Sequence, residues 1–466
     1  LDLGDRFSMV FFAVGASVIL FIIYIWCFFS TIPGLVWIWR LTKGRRSGGL
    51  GLVNAMNPRL FDNLTTVQAD AAKEKLSAPP DPSEYQARKF SLDVAKMLLL
   101  ISSLMYERST DDTIEAIKNI KAHINPFNLS ITKSTSSLAG DVVNIERSSR
   151  SKIYKWTRDH GIQYEPVSEL ASLGQAYASV FWDPKSNCIV VAFKGTDPRS
   201  FEEWTTDFTA SFDRAHDHIP GFNMVHRGFK EVSFGYGASG NARPDSPLAS
   251  IVGAIKIVSE GLSRDLAPDT KINVWFTGHS LGTALATLAY SKALVSSKDL
   301  PDNVILRDAY LFATPITVDK ATRHHFNDKM FAKDSDVPRT MWRVTNRNDA
   351  VATALPDWGD DDKRVLSENN LLGFSHLGIE IFMKTGPHAS QVKGNQVKTY
   401  GKFEVHITSK FTQEEIIAQR DFAEKNNWTS GKLCSLFSLS LFLGTFSPTL
   451  LSTYVTSHDV YCRGQR

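Results

Sequence analysis

Ser280 stands between Gly278 and Gly282 in the stretch GHSLG, directly after the apolar run INVWF and directly before TALATLAY. Packing gives no reason for a polar serine at the end of a buried strand. Chemistry does. A serine in a tight strand-to-helix turn is lifted above the sheet as a nucleophile, and the turn crowds the positions two before and two after it, so only small residues fit there. The backbone N–H of Leu281 would then lie at a helix N-terminus, where unpaired donors and the helix dipole favour negative charge. That suits the oxyanion formed when a serine attacks an ester carbonyl. Such a serine needs an orienting acid and a histidine base, which follow it in that order in sheets of this kind.

The acid is legible in RVTNRNDAVATALP (343–356), which presents Asp349 just past the apolar-rich stretch MWRV, where a strand end would deliver it. Four histidines lie beyond it, His376, His388, His406 and His458, and chain order alone does not choose among them. His406 in KFEVHI is opposite in phase to Phe403, Val405 and Ile407, as a solvent-facing strand residue would be. His388 follows Gly386-Pro387 and reads as loop.

The elements that must hold these groups show in outline. FSLDVAKMLLLISSLMYE repeats apolar residues at helical spacing and opens the globular part of the chain. QAYASVFWDPKSNCIVVAFKGT reads as two strands joined at Asp183-Pro184-Lys185. LASIVGAIKIVSEGL reads as a helix before the strand INVWF, a second helix follows Ser280, and RDAYLFATP reads as a further strand. Strand and helix in alternation predict an α/β fold, with a mostly parallel central sheet covered by helices on both faces.

In their order along the chain, VVAFKGT, VHRGF, VWFTGHSLGTALA, LFATP, RVTNRNDAVATALP and SHDVY resemble the class 3 (fungal-type) lipases, an α/β-hydrolase family, over residues 90–465. The resemblance implies that the catalytic histidine lies in the late His-x-x-Tyr element, here His458 with Tyr461. It pairs His376 in FSHLG with a histidine that recurs in the family without being catalytic. It places Thr196 of AFKGTD as the second oxyanion donor, with Lys194 where the family usually carries Arg. It also matches DPRSFEEWTTDF (197–208) to a lid, whose Phe201, Trp204 and Phe208 fall on one helical face. His279 is expected to be structural, and His226 and the His324-His325 pair receive no role.

Outside the site, the formal charge of +3 on 466 residues points to neither nucleic acid nor a strongly acidic partner. Cys27, Cys188, Cys434 and Cys462 show no CxxC or zinc-like spacing, so no metal site is indicated; pairing of Cys434 with Cys462 needs an oxidising compartment, and free thiols are the simpler reading. The chemistry requires no cofactor. Residues 9–30, MVFFAVGASVILFIIYIWCFFS, carry no charge and, as a helix rising ~1.5 Å per residue, match a hydrocarbon core of about 30 Å. They predict a single-pass anchor in residues 1–40, a linker over 41–85 in which VQADAAKEKL forms a short helix, and a hydrolase domain over 86–466. Arg40, Lys43, Arg45 and Arg46 after the span favour a cytosolic domain, whereas the sequons at Asn63, Asn128 and Asn427 would suit a lumenal one. The polar, basic stretch ERSSRSK (146–152) reads as solvated loop. LCSLFSLSLFLGTFSPTLLSTYVTS (433–457) is also uncharged, but a crossing there would part His458 from Ser280, so it is expected to enter the core or to wall the acyl site.

The expected protein is a membrane-anchored serine lipase acting on di- or triacylglycerol at a membrane surface, similar in layout to diacylglycerol lipases. The alternatives are a transacylase or phospholipase of the same fold, and a catalytically inactive membrane scaffold. Competent residues at every triad and oxyanion position argue against the scaffold.

Overall fold

The computed structural model describes residues 66–85, 87–108, 149–170, 176–195, 212–234, 246–332, 337–346, 373–383, 390–391, 402–406 and 460–461, together with Val10, Val14, Ser17, Val18 and Phe21. In chain order its elements are α1 (Thr66–Ser77), β1 (Ala87–Ser91), α2 (Leu92–Leu104), α3 (Ser151–Asp159), β2 (Gln163–Leu170), β3 (Ala176–Trp182) and β4 (Cys188–Phe193). Next come β5 (Phe212–Arg214), β6 (Met224–His226), α4 (Arg227–Phe234), α5 (Pro247–Asp265), β7 (Ile272–His279), α6 (Leu281–Val295) and β8 (Val304–Phe312). The rest are β9 (Val318–Asp319), α7 (Lys320–Met330), β10 (Met341–Asn346), β11 (Phe374–Ser375), β12 (Ile379–Met383), β13 (Ser390–Gln391), β14 (Lys402–His406) and β15 (Val460–Tyr461).

Among the described residues the main sheet runs β15-β13-β12-β10-β8-β7-β4-β3-β2. Its centre, β4, β7, β8, β10 and β12, is parallel throughout, as the alternation of strand and helix predicts. The hairpin expected at Asp183-Pro184-Lys185 joins β3 to β4, with Ser186 N–H donating to the Asp183 carbonyl at 3.0 Å. Side chains alternate across each strand, so neighbouring residues feed different cores. Val190, Trp275, Tyr310 and Trp342 pack with α1, α2 and α3 on one face. Val191, Phe276, Leu311 and Met341 pack with α4, α5, α6 and α7 on the other. The result is three layers, helix, sheet and helix.

Every residue of α2 is buried, so it is a core helix rather than a surface one. Its start is set by Ser91, whose hydroxyl accepts the Val94 N–H at 3.4 Å. Thr277 of β7 reaches into it, its hydroxyl lying 3.2 Å from the Leu98 carbonyl and 2.9 Å from that of Tyr310. The stretch read as a linker needs one correction. VQADAAKEKL is indeed helical, but α1 is packed rather than tethered: Ala69, Ala72 and Leu76 recur on one face and are buried in the sheet's first core. The Leu76 carbonyl accepts from Asn273 and from the Trp275 indole, at 3.1 and 3.0 Å. Among the described residues, the packed layers therefore include α1, ahead of the expected start of the domain at residue 86.

Two smaller pairings had no counterpart in the sequence reading. β1 runs parallel to β14, and β5, β6, β9 and β11 form a separate antiparallel sheet. Among the described residues no helix is long and apolar enough to cross a membrane. Of the apolar run 9–30 only Val10, Val14, Ser17, Val18 and Phe21 are described; they are helical and exposed, and the rest of the expected anchor lies outside the described residues. So do the three sequons and residues 433–457.

Candidate active site

β7 ends at His279 and α6 begins at Leu281, leaving Ser280 as the single residue that turns strand into helix. Its backbone sits at φ 55° and ψ −132°, in the region that favours glycine and that costs other residues about 1–3 kcal/mol. The surroundings hold it there. The Ser280 N–H donates to the Phe312 carbonyl at 3.0 Å, and its own carbonyl accepts the Thr283 N–H at 2.8 Å and the Thr283 hydroxyl at 2.6 Å. Strain concentrated at one buried serine is how this turn presents an oxygen above the strand ends.

The flanking glycines are required by contact. A Cβ on Gly278 would lie 2.8 Å from the carbonyl carbon and oxygen of Gly282. One on Gly282 would strike the Phe193 carbonyl and lie 2.8 Å from Lys194. The elbow therefore presses directly on the end of β4, the strand that leads to Thr196.

Parallel strands bring their C-terminal ends to one edge, and two backbone bonds stitch that edge together. Ser280 N–H reaches Phe312 at the end of β8, and Ala313 N–H donates to Val344 of β10 at 3.0 Å. β10 ends at Asn346, three residues before Asp349, and is separated from β7 by β8 alone. β15 pairs with β13 in the same sheet and starts two residues after His458. Leu281, the first residue of α6, is buried beside Ser280, and the first N–H groups of a helix have no acceptor within it. Thr196, Phe201, Trp204, Phe208, Asp349, His388 and His458 lie outside the described residues.

His406 is the last residue of β14, and five other histidines singled out in the sequence sit within the described fold. His279 is fully buried, and desolvation pulls its pKa down to about 4, so it is neutral near pH 7. Its Nδ1 lies 2.9 Å from the Tyr106 hydroxyl, a pairing across 173 residues that no local sequence signal announces. His226 is stacked on Phe229, with ring centroids 4.0 Å apart, and lies tilted against Phe374 at 5.9 Å. His376 is buried directly after β11. His324 Nε2 lies 3.3 Å from Arg323, and the His325 ring packs against Gly221.

Asp308, in β8, is a buried carboxylate that the sequence did not single out. It accepts the Thr340 N–H and the Trp342 indole N–H, both at 2.8 Å, pinning β8 to β10 below the site. Burial pushes its pKa up, against those two bonds and the nearby Arg307. Among the described residues no cluster of His, Cys, Asp and Glu is arranged to hold a metal ion. The one described cysteine, Cys188, is buried and free.

Residues 190–358 match the family described as Lipase (class 3). A triacylglycerol lipase of Arabidopsis thaliana is 28% identical over 222 residues, covering 44% of this chain and 39% of that protein. The chain thus spans about two fifths of the length of this curated relative. Similar solved structures include a lipase of Yarrowia lipolytica, 18% identical over 49% of this chain and 67% of that one, with a TM-score of 0.33. Lipase II of Rhizopus niveus is 21% identical over 60% of this chain and 83% of its own, with a TM-score of 0.34. The α/β-hydrolase fold of this chain rests on its own strand order and elbow.

Proposed function

We propose, for a chain whose residues 190–358 match the class 3 lipase family, that it is a membrane-anchored serine lipase hydrolysing acyl esters of di- or triacylglycerol. The observation that carries the reading is the strained Ser280 elbow, wedged between two glycines that admit no side chain. A fold gains nothing from such a turn unless the serine oxygen is used. The name of the Arabidopsis relative supports glycerolipid as the substrate class.

In this reading the Ser280 oxygen attacks the ester carbonyl carbon as His458 takes its proton, and Asp349 orients the imidazole. The N–H groups of Leu281 and Thr196 hold the oxyanion, each such donor being worth about 10²–10³ in turnover. Collapse breaks the bond to the glyceryl oxygen, which leaves with the proton from His458. Water then attacks the acyl-serine as His458 takes one of its protons; the acyl bond to Ser280 breaks, the fatty acid leaves, and His458 returns that proton to the Ser280 oxygen. Phe201, Trp204 and Phe208 form the apolar face of a lid that turns onto lipid, and residues 9–30 tether the domain to a membrane, with the charge flanking them favouring a cytosolic face.

Lipid-product profiling of the purified protein against Ser280→Ala tests the proposal, together with labelling by a fluorophosphonate probe. The wild type should release fatty acid and be labelled, while Ser280→Ala should lose up to ~10⁶-fold in turnover. His458→Ala should fall nearly as far, and folded His376→Ala should stay active. Labelling of Ser280→Ala at full strength would remove Ser280 as the nucleophile. Acyl transfer to a lipid alcohol in place of water would make the protein a transacylase.

A further inference from the structure

We infer that Tyr106 is a positioning residue for the oxyanion pocket, holding the Gly195 loop and the Ser280 elbow at a fixed separation through its phenol oxygen. The inference rests on the proposed reading of Ser280 as nucleophile, with Thr196 and Leu281 as oxyanion donors.

Tyr106 lies in the single 3-10 turn, Met105–Glu107, that ends the buried helix α2. Its hydroxyl is 2.9 Å from His279 Nδ1 and 3.4 Å from the His279 carbonyl oxygen, and the two rings meet edge to face at 5.7 Å. A Cβ on Gly195 would strike that same hydroxyl and the His279 carbonyl, and would lie 3.1 Å from the Ser280 Cβ. Three chain segments thus converge on one phenol oxygen: the end of α2, the loop after β4, and the residue before the nucleophile. Along the chain, Thr196 is the next residue after Gly195, and Leu281 is the second after His279. The loop and the elbow meet at Gly195 and His279, and the phenol packs against both at that junction, bonded to His279 and in steric contact with Gly195.

The tie is neutral and persists at the pH of acyl transfer. His279 is uncharged above about pH 4, because burial disfavours its cation. With Nε2 protonated, the phenol donates to Nδ1; in the other tautomer Nδ1–H donates to the phenol oxygen. Either bond fixes the imidazole, and with it the peptide that leads into Ser280. Lys194 adds a contact from the loop side, its Nζ 6.0 Å from the centroid of the Tyr106 ring. An oxyanion pocket works by holding its donors at hydrogen-bond distance before the charge forms, so a small loss of spacing appears in turnover rather than in ground-state binding.

The test compares wild type, Tyr106→Phe, His279→Leu and the double variant on a soluble short-chain ester. A second readout is inhibition by an aryl trifluoromethyl ketone, whose serine adduct carries an oxyanion. Tyr106→Phe should keep KM within about twofold while lowering kcat and the ketone's affinity together, by roughly tenfold. The double variant should lose little more than either single one, because both remove the same bond. His279→Leu removes Nδ1, leaves Tyr106 in place and carries the same expectation alone should Tyr106→Phe fail to fold. Full kcat and ketone affinity in a folded Tyr106→Phe, or losses that add in the double variant, overturn the inference. A wild type that neither hydrolyses the ester nor binds the ketone overturns the nucleophile assignment, and this inference with it. An active wild type with an unaffected Tyr106→Phe overturns this inference alone.

Discussion

Substituting Gly282 by alanine sets two known effects of opposite sign against each other. Gly282 is the second residue of α6, and on helix propensity alone alanine should stabilise by about 1 kcal/mol. The surroundings say otherwise. The new Cβ would stand 2.8 Å from the Lys194 carbonyl carbon and oxygen, where ordinary contact begins at 3.4 Å, so 3.4 − 2.8 leaves at least 0.6 Å to be found. The atoms in the way are backbone and have no rotamer to yield, and overpacking of this kind costs about 1–3 kcal/mol. The clash should win, by up to about 2 kcal/mol, or roughly 4 °C in Tm at about 2 °C per kcal/mol. Because the displaced segment leads to Thr196, kcat should fall as well, with the ~10²–10³ of a lost oxyanion donor as the upper bound. Gly253→Ala in α5 is the control, since its Cβ meets nothing within 4 Å. It should raise Tm by about 2 °C and leave kcat unchanged. Thermal melts and initial rates on a soluble ester read both quantities. A Gly282→Ala protein as stable as Gly253→Ala, with wild-type kcat, would refute the argument that the elbow bears on β4.

Further expectations concern charge, strain and the lid. Burial and the neighbouring Asp308 raise the Glu84 carboxyl from 4.5 to about 7, so the folded state holds a proton that the unfolded state has lost, and stability drains as pH rises from 4.5 through 7. Glu84→Gln should gain relative to wild type across that window, by about 1–2 kcal/mol at pH 8 once partial exposure is allowed for, and urea midpoints at pH 5 and 8 check it. Asp308→Ala strands two buried N–H donors and should cost about 2–4 kcal/mol in urea unfolding; a change under ~0.5 kcal/mol would deny Asp308 its pinning role. Ser280→Gly should be inactive yet more stable than Ser280→Ala by about 1–2 kcal/mol, since glycine alone relieves the positive φ. Trp204→Ala should weaken hydrolysis of emulsified lipid far more than of a soluble ester, and equal losses on both would make Trp204 a core or site residue instead.

What the sequence disclosed was what short-range pattern encodes. The elbow was legible because strand, small residues and helix sit within some twenty positions, and β3, β4, β7 and β8 because they are short, mostly apolar runs rich in β-branched and aromatic residues. The misses share a physical cause. ARKFS, with its two charges, has no strand pattern, and β1 exists because β14 pairs with it from more than 300 residues away. β9 and β11 are two residues each, too short for any period to show. α1 read as a tether helix because its apolar face is narrow and small, and only the sheet it covers shows that the face is buried. In the site, Tyr106 and Asp308 act through partners distant in sequence, so neither carried a motif.

The burial of α2 on every side also governs how the chain is made. Its thirteen residues include Met97, Leu98, Leu99, Leu100 and Ile101, and its deepest partner, Thr277 of β7, is 179 positions after Leu98. At roughly 5–20 residues per second, that interval takes about 10–35 s of synthesis, during which an apolar helix has left the ribosome without the surface it covers. Thirteen residues are too few to cross a bilayer, so a membrane offers the helix no stable transmembrane site. The nascent chain should therefore engage a holding chaperone between the emergence of α2 and that of β7. Ribosome-bound chains stalled once α2 has cleared the exit tunnel should be protected by such a chaperone, and chains stalled once α6 has cleared it should be released.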